Sequence, residues 1–403
     1  MRPFDGRRIL LGVTGGIASY KSVVLARLLT QAGAEVDVVM TRAAEEFVGA
    51  ITFEAVTGRR SYNQIFGSGN ALDHIRLARE AELFVVAPAT ADFLARAAHG
   101  HADDLLTAAL LANVAPVLLV PAMNDRMWAN AQTGSNVASL RERRYTVLDP
   151  EEGLLAAGEG SGPGRMPEPE TIVAHIGRLL ESDEELAGKH VIVTAGATRE
   201  PIDPVRFISN HSSGRMGVAI AEAAWRRGAV VTLVVGHIDM EVGAGPRVVR
   251  AETVEEMASA VGAELPRADA LVMAAAPADF EPAQPAESKI SKRADGGGLA
   301  LELAPTIDIL RSTLHLRRPG AVIVGFALET GDALSKGAAK LREKSLDMIV
   351  VNDALEEGAG FRVATNRVTI LTPDREAEEL PLMSKTAVAD AILDRIGPLL
   401  RER

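Results

Sequence analysis

The chain has 403 residues, of which 47% are hydrophobic, 24% charged and only 4% aromatic, and its net charge at pH 7 is −11. At roughly 150 residues per domain, this length predicts two or three domains. A core built from Ala, Val, Leu and Ile suits parallel sheets covered by helices. The acidic balance argues against a nucleic-acid binder, which needs a basic surface. The chain has no cysteine, which excludes disulfides, thiolate zinc sites and cysteine nucleophiles.

The N-terminal segment, residues 1–8, leads straight into a predicted strand, so we expect no leader peptide. All apolar runs are of strand length, so we expect no membrane-spanning segment. Together these features predict a cytoplasmic protein.

A strand–helix–strand pattern occurs twice. It begins with strands at residues 8–13 and 190–193, and in each copy a Gly-Ala pair ends the helix before the next apolar strand. The chain therefore predicts two α/β domains, 1–182 and 189–403. The acidic segment before the second strand predicts a linker at 183–188. Residues 153–164 and 281–298 are predicted loops, of the length that often serves as a lid.

Small and hydroxyl-bearing residues follow three strands of the first half. The turn GVTGGIASYK lacks the spacings GxGxxG and GxxxxGK, yet it places backbone amides at a helix N-terminus. A phosphate site and an ordinary tight turn fit it equally well. Thr41 and the loop Ala89-Thr90-Ala91 end two further strands. Since such strand ends meet at one edge of the sheet, they predict a mononucleotide site.

The segment PAMNDRMW, residues 121–128, follows a buried strand. Its Asn124 would lie at the carboxyl edge of the sheet, where an uncharged amide can donate to a carboxylate. The alternative is a strand-to-helix connection whose Met127 and Trp128 fill the core. His74 lies between apolar and charged neighbours. It is either a structural histidine or a catalytic acid or base.

The motifs GGIASYK, Asp73-His74-Ile75, PATAD and PAMNDRMW, in this order, resemble the flavin-dependent cysteine decarboxylases. The resemblance implies a flavodoxin-like domain that forms trimers with FMN at subunit contacts, and it assigns Asn124 and Met127 to the substrate and a catalytic role to Asn124 and His74. It implies FMN contacts for Gly15, Gly16, Ile17, Ala18, Thr41, Ala89, Thr90 and Ala91, and for Thr107 from a neighbouring subunit.

The chemistry of such a family suits these groups. A C-terminal cysteine carboxylate has no electron sink beside it, whereas a flavin can oxidise the carbon–sulfur unit so that loss of CO₂ gives an enethiolate. In this interpretation Asn124 holds the carboxylate, and His74 handles a proton or orients the substrate.

The second half contains the segment TAGATREPIDPVRFISNHSSGRMG, residues 194–217. Ser212 and Ser213 are suitable helix N-caps, but two serines and Gly214 at a helix start also suit an anion. Arg206 and Asn210 stand beside them in the sequence, and we favour the anion site.

Three further features of this half suggest a nucleotide. Asp279 follows a buried strand, where it could meet a base, a ribose or magnesium. Lys289 lies on a Pro/Gly-bounded loop and could close over phosphates or be an ordinary solvated charge. Lys340 and Lys344 are four residues apart, hence on one helix face, which is also typical of a solvated stripe.

These motifs, with AAPADF, Ser288-Lys289-Ile290 and GFALET, resemble the phosphopantothenate–cysteine ligases. The resemblance implies a Rossmann-like, dimeric domain that uses CTP with Mg²⁺ to form an acyl-cytidylate, which cysteine then attacks. It implies catalytic roles for Asn210 and Lys289. It also implies 4′-phosphopantothenate contacts by Arg206, Asn210, Ser212, Ser213 and Gly214, and CTP contacts by Ala274, Ala275, Asp279, Lys289, Phe326, Lys340 and Lys344. The metal ligands stay unassigned. The chain departs from the family near 306–308, where a proline usually precedes the aspartate.

The whole chain therefore resembles the bifunctional coenzyme A biosynthesis proteins, for which combined trimeric and dimeric contacts imply a dodecamer. It departs from them at a flap, where Ala157 or Gly158 occupies the position of the family's cysteine. Glu159 or Ser161 could donate the proton instead. Three outcomes stay open: a complete reaction with another acid, a reaction that stops at the enethiol, or a flavin-binding scaffold beside an active ligase. A two-domain nicotinamide or electron-transfer flavoprotein is disfavoured, because GxGxxG is missing.

Overall fold

The structure is a computed structural model that describes residues 3–65, 72–155, 158, 160–181, 185–291, 298–329, 331–353 and 363–401. The chain divides into two units, Met1–Glu181 and Ser182–Arg403. Within the described ranges, no helix has the length and apolar character needed to cross a membrane.

The first unit is built on a six-stranded parallel sheet in the order β3-β2-β1-β4-β5-β6, beside a separate hairpin of β7 and β8. Its strands are β1 Arg8–Val13, β2 Glu35–Met40, β3 Ser61–Tyr62, β4 Leu83–Ala89, β5 Val117–Pro121, β6 Thr146–Val147, β7 Glu151–Leu154 and β8 Ser161–Arg165. Its helices are α1 Ser19–Gln31, α2 Arg42–Glu45, α3 Ala50–Thr57, α4 Asp73–Glu80, α5 Ala91–His99, α6 Leu105–Ala112, α7 Asp125–Trp128, α8 Ala131–Glu142 and α9 Pro169–Glu181.

The central strand β4 is buried along its whole length, because both faces of the sheet are covered. Val85 belongs to the core under α1, α3 and α9, whereas its neighbours Phe84 and Val86 belong to the core under α4, α5, α6 and α8. A continuous apolar run is what a strand covered on both faces requires. This part of the chain is therefore a three-layer α/β unit, as predicted.

The second unit is built on an eight-stranded sheet in the order β13-β12-β9-β14-β17-β18-β20-β21. Three further pairs, β10–β11, β15–β16 and β19–β22, lie outside this sheet. The strands of the whole unit are β9 His190–Ala195, β10 Arg199–Pro201, β11 Phe207–Ser209, β12 Val230–Val235, β13 Arg247–Arg250, β14 Ala270–Met273, β15 Phe280–Pro282, β16 Leu303–Pro305, β17 Val322–Glu329, β18 Met348–Asp353, β19 Thr365–Asn366, β20 Thr369–Leu371, β21 Glu378–Glu379 and β22 Met383–Ser384. Its helices are α10 Arg215–Arg226, α11 Val254–Glu264, α12 Ile309–Ser312, α13 Ala333–Glu343 and α14 Lys385–Arg401, with short 3₁₀ turns at Leu265–Arg267 and Leu314–Leu316.

The second sheet has helices on both faces, α10 and α14 on one and α11 and α13 on the other. In this sheet the six neighbouring strands β13, β12, β9, β14, β17 and β18 are parallel. Strands β20 and β21 add an antiparallel edge beside β18. The expectation of a parallel sheet is thus corrected at this edge, because β20 pairs with β18 in the reverse direction.

The structure differs from the sequence prediction in two segments, the predicted loop 153–164 and the predicted linker 183–188. In the predicted loop 153–164, residues 153–154 and 161–164 belong to the paired strands of the antiparallel hairpin β7–β8. Of the predicted linker, residues 183 and 184 lie outside the described residues, while Glu185 forms an ion pair with Arg401 and Leu186 is fully buried in the second core. The end of that segment therefore packs on the second unit.

Candidate functional sites

The first unit has a cavity of about 440 Å³ at the carboxyl edge of its sheet. Its walls come from the connections after β1, β4 and β5 and from the hairpin β7–β8. The cavity is lined by Gly15, Gly16, Ile17, Ala18, Tyr20, Lys21, Thr90, Ala91, Ala122, Met123, Asn124, Met127, Leu154, Leu155, Gly164, Arg165 and Met166. A second cavity shares Gly15, Thr90, Ala91 and Met127 with it and includes Thr41.

The connections after β1 and β4 are fixed to each other by one hydroxyl. Thr14 Oγ1 donates to the Pro88 carbonyl at 2.8 Å and accepts from the Thr90 amide at 3.1 Å. At Gly15 a Cβ atom would lie 2.4 Å from that of Ala43, so only glycine fits. The two loops are thus fixed to each other, and Gly15 allows α2 to approach the first of them closely.

Asn124 lines this cavity and also caps α7. Its Oδ1 accepts from the Arg126 amide at 2.9 Å, so Nδ2 is the group left to donate. Trp128 packs against the core, as the structural alternative predicted, whereas Met127 is 48% exposed at the cavity. The core interpretation is therefore confirmed for Trp128, whereas Asn124 and Met127 line the cavity and their binding role stays a prediction.

The hairpin β7–β8 packs directly on this segment. The Met123 amide donates to the Gly164 carbonyl at 3.0 Å. A Cβ atom on Gly164 would lie 2.2 Å from the Met123 carbonyl oxygen. The hairpin therefore covers the Asn124 loop at a distance that only glycine permits.

Lys21 is a site residue that sequence reasoning did not identify, although it lies within the quoted motif GGIASYK. It is only 5% exposed. Its ammonium donates to the Met166 carbonyl at 2.7 Å and to Glu168 Oε1 at 3.1 Å. It thereby ties α1 to the chain that leaves the hairpin.

Three predicted residues do not line either cavity. Ala89 is fully buried inside β4, and Thr107 is buried with its hydroxyl in the capping box of α6. His74 lies on α4, and its buried Nδ1 has no hydrogen-bond partner among the described residues. Of the flap positions, Ala157 and Glu159 lie outside the described residues, while Gly158 and Ser161 are exposed.

The second unit has a cavity of about 360 Å³, also at the carboxyl edge of its parallel strands. It is lined by Asn210, Ser212, Ser213, Gly214, Arg215, Met216, Ala274, Ala275, Ala276, Pro277, Asp279, Phe326, Ala327, Leu328, Lys340, Asn352, Asn366 and Lys385. Asn210 Nδ2 donates to the Pro277 carbonyl at 2.9 Å and the Ala276 carbonyl at 3.3 Å. The side chain therefore connects the predicted anion loop with the strand end that carries Asp279.

The helix α10 starts at this cavity. Gly214, with φ of 77°, occupies its N-cap position, and the Ser212 hydroxyl accepts from the Gly214 amide at 3.3 Å. A positive φ favours glycine. Gly214 therefore occupies the N-cap position in place of the predicted Ser212 or Ser213, which precede it.

The lysines of α13 are paired with carboxylates. The Lys340 ammonium bonds Glu329 and holds the pKa of that carboxyl below its usual value. Lys344 pairs with Asp308 at 2.9 Å; burial opposes ionisation of Asp308, but Lys344 and backbone amides outweigh it and lower the pKa. Lys344 does not line the cavity.

Lys385, from the last helix, is a cavity residue that the sequence did not suggest. It is 6% exposed. Burial, and then the positive charge of Arg215, lower its pKa. Two cations thus stand close together at one end of the cavity.

Arg206 and Lys289 lie outside the cavity lining. Arg206 pairs with Asp203 and bonds the Ile290 carbonyl, and Lys289 is exposed on the loop before β16. No cluster of three His, Asp or Glu side chains suited to a metal occurs in the described part of the chain.

Comparisons with known proteins match both units. Residues 2–181 match the family "Flavoprotein", and residues 186–399 match the family "DNA/pantothenate metabolism flavoprotein C-terminal domain". The coenzyme A biosynthesis bifunctional protein CoaBC of Mycobacterium tuberculosis is 47% identical over 408 residues, which cover 98% of this chain and 97% of the relative. That of Vibrio vulnificus is 41% identical over 402 residues, covering 99% of this chain and 100% of the relative. The crystal structure of the C-terminal domain of a CoaBC protein is 36% identical and covers 55% of this chain and 100% of that domain, with a TM-score of 0.47.

Proposed function

The chain belongs to the family of coenzyme A biosynthesis bifunctional proteins, and from that premise we propose that its two units carry two consecutive activities. The second unit, from about residue 189, ligates 4′-phosphopantothenate to cysteine at the expense of CTP. The first unit, to about residue 182, decarboxylates the 4′-phosphopantothenoylcysteine that results, and gives 4′-phosphopantetheine. This order fits the chemistry, because the cysteine carboxylate that is lost exists on the substrate only after ligation.

FMN fits the first cavity, because the volume of the cavity lies in the range of small-molecule sites and small residues such as Gly15, Gly16 and Ala18 are part of its lining. We assign the contacts of FMN to Gly15, Gly16, Ile17, Ala18, Thr41, Thr90 and Ala91. Bound FMN would accept two electrons from the carbon–sulfur unit, which makes loss of CO₂ possible, and the reduced flavin would return them to the enethiol to give 4′-phosphopantetheine.

The protein's own groups orient the substrate. Asn124 Nδ2 donates to the substrate carboxylate, while its Oδ1 stays in the helix cap and fixes the amide plane. Met127 forms an apolar wall beside it, and the hairpin β7–β8 excludes water from above. An uncharged donor holds the carboxylate without stabilising it as strongly as an ion pair would, which favours its loss as CO₂.

His74 and Thr107 act on this site only if another subunit brings them there, since neither lines the cavity of its own subunit. The trimer proposed for the first unit rests on the resemblance. With the dimeric contacts implied for the second unit, the assembly is a dodecamer. We place the protein in the cytoplasm.

In the second cavity we assign the nucleotide to the end formed by Ala274, Ala275, Asp279, Phe326 and Lys340, with Lys344 recruited from its ion pair with Asp308. The serine loop and Gly214 hold an anionic group at the start of α10. Asn210 positions the reacting carboxyl, and Lys289 and Arg206 approach from the neighbouring loop and hairpin. Mg²⁺ arrives with the CTP phosphates.

The observation that carries this proposal is the resemblance of the chain to its relatives from end to end. Gly15, Thr90 and Asn124 at the first cavity and Asn210, Asp279 and Lys340 at the second support it. Mass spectrometry after incubation of the purified protein with 4′-phosphopantothenate, CTP, Mg²⁺ and cysteine tests it. We expect pyrophosphate, CMP and a product that has lost CO₂. CMP release with no loss of CO₂ would refute the decarboxylase. A product that is also two hydrogens short would mean that the reaction stops at the enethiol, and a protein that takes up no flavin would refute the FMN site.

A further inference from the structure

Asp203 is a buried charged residue that none of the roles assigned above uses. It lies in the turn between β10 and β11, and its side chain has no exposed surface. A buried carboxylate is costly unless hydrogen bonds and an opposite charge compensate for the lost water. The groups that contact the Asp203 carboxylate therefore indicate its structural role.

The two oxygens of Asp203 hold two different segments. Oδ1 accepts from the Val205 amide at 2.8 Å and the Arg206 amide at 2.9 Å, which closes the turn. Oδ2 accepts from the Ile290 amide at 3.1 Å and lies 2.8 Å from Arg206 Nη2. One oxygen thus shapes the hairpin, and the other attaches a loop that is distant in sequence.

The attached loop is the one that carries Lys289. It is bound to the hairpin on both sides of that lysine, because the Ala286 amide donates to the Ile202 carbonyl at 2.9 Å and the Arg206 guanidinium bonds the Ile290 carbonyl. Lys289 itself is exposed. Since Arg206 neutralises Asp203, the ammonium of Lys289 is not drawn towards the hairpin and stays available to a ligand.

We propose that Asp203 is the positioning residue that fixes both Lys289 and Arg206 for the ligation reaction. This inference rests on the ligase activity and on the role of Lys289 proposed above. Burial opposes the ionisation of Asp203, but the amides of Val205, Ile290 and Arg206, together with the Arg206 charge, lower its pKa below the usual value. Asp203 therefore stays ionised at neutral pH, and its bonds to the Ile290 amide and Arg206, here called the loop tether, remain intact. The Lys289 loop is thus already in position when a ligand binds.

The substitution Asp203→Asn separates the two tasks of the carboxylate. The amide oxygen can still accept from Val205 and Arg206, so the turn survives, but the NH₂ group cannot accept from the Ile290 amide. We expect kcat for CTP-dependent ligation in the full-length protein to fall about 10- to 100-fold, in line with the cost of a misplaced catalytic group, with a smaller change in KM for CTP. Hydrogen exchange at Ile290 should become faster.

The matched control is Glu200→Gln. Glu200 is 1% exposed and lies on the same hairpin, but its Oε1 accepts from the Val254 amide at 3.1 Å and does not touch the loop. We expect this variant to keep ligation within about threefold of the unmodified protein, since the loop tether is untouched.

A double-substitution cycle distinguishes positioning from a general loss of structure. If Asp203 acts through Lys289, Asp203→Asn should have little further effect on a Lys289→Ala protein, because interacting residues are not additive. Multiplying losses, or a fully active Asp203→Asn protein beside an inactive Lys289→Ala protein, would overturn the positioning role and leave the ligase proposal standing. A fully active Lys289→Ala protein would overturn the assigned role of Lys289 as well. If Asp203→Asn does not fold, an unprotected Ile290 amide in the unmodified protein would still refute the tether.

Discussion

The two cavities lie at equivalent places, the carboxyl edges of two parallel sheets, but their walls differ. Small and apolar residues such as Gly15, Ile17 and Met127 dominate the first, whereas Arg215, Lys340 and Lys385 make the second strongly polar. A flat ring system needs close, uncharged walls, while phosphates need cations and helix termini. The same fold position thus serves two chemistries through the side chains that line it.

The hairpin β7–β8 of the first unit and the Lys289 loop of the second unit also differ in what holds them. In the first unit a buried cation, Lys21, holds the hairpin through the Met166 carbonyl and Glu168. In the second unit a buried anion, Asp203, holds the loop through the Ile290 amide. Each charge is compensated by hydrogen bonds to the segment that it holds. If the two sites work separately, a substitution in one should leave the other intact.

The largest effect is expected for Lys289→Ala. Removal of the ammonium should lower CTP-dependent ligation by at least about 100-fold, because Lys289 is the cation assigned to stabilise the developing phosphate charge. Release of CMP measures ligation, and absorbance of bound flavin measures the first site. Flavin binding should be unchanged, and a loss of both would contradict the separation of the sites.

Asn124→Ala should affect the other activity. It removes the amide that donates to the substrate carboxylate, so decarboxylation of supplied 4′-phosphopantothenoylcysteine should fall about 100-fold. Ligation should stay within about twofold of the unmodified protein. The control is Asn130→Ala, which removes a comparable cap from α8 but no cavity residue. Unchanged release of CO₂ by Asn124→Ala would exclude the carboxylate clamp.

Gly164→Ala tests the contact between the hairpin and the Asn124 loop. The new methyl group would lie 2.2 Å from the Met123 carbonyl oxygen, so the hairpin has to move away. We expect decarboxylation to fall about tenfold through poorer closure. The control is Gly134→Ala on α8, where no atom lies within 4 Å of a new Cβ. If both variants decarboxylate equally fast, closure of the hairpin plays no part.

The smallest effect is expected for Lys21→Met, which keeps the volume of the side chain and removes the ammonium. The Met166 carbonyl loses its donor, at a cost of about 1–3 kcal/mol in the free energy of unfolding of the first unit. A unit of this size should lose about 2–4 °C in Tm for each kcal/mol, measured by thermal unfolding. The Tm of the second unit should not change.

The sequence predicts the parts of the molecule that depend on local pattern. Continuous apolar runs such as residues 83–87 require a strand covered on both faces, and this is confirmed by the structure. Because parallel strands end at one edge, Gly15, Thr90 and Asn124 could be placed together without coordinates. These residues all line the first cavity.

What the sequence did not predict depends on distant partners. Lys21 and Met166 are 145 residues apart, and Lys385 reaches the second cavity from the last helix, so no local spacing records either role. The sequence predicts a loop at the hairpin β7–β8, because this Gly- and Ala-rich segment has little strand propensity, whereas main-chain pairing forms the hairpin. The proposed contacts of His74 and Thr107 require a second subunit, which one chain cannot reveal.

One measurement tests the two-site account most directly. The Asn124→Ala and Lys289→Ala proteins are assayed separately and as a mixture, with 4′-phosphopantothenate, CTP, Mg²⁺ and cysteine, and the decarboxylated product is followed by mass spectrometry. We predict that Asn124→Ala alone accumulates 4′-phosphopantothenoylcysteine, that Lys289→Ala alone makes no product, and that the mixture restores the product. A mixture that yields none, although each variant keeps its remaining activity on supplied substrate, would contradict the account.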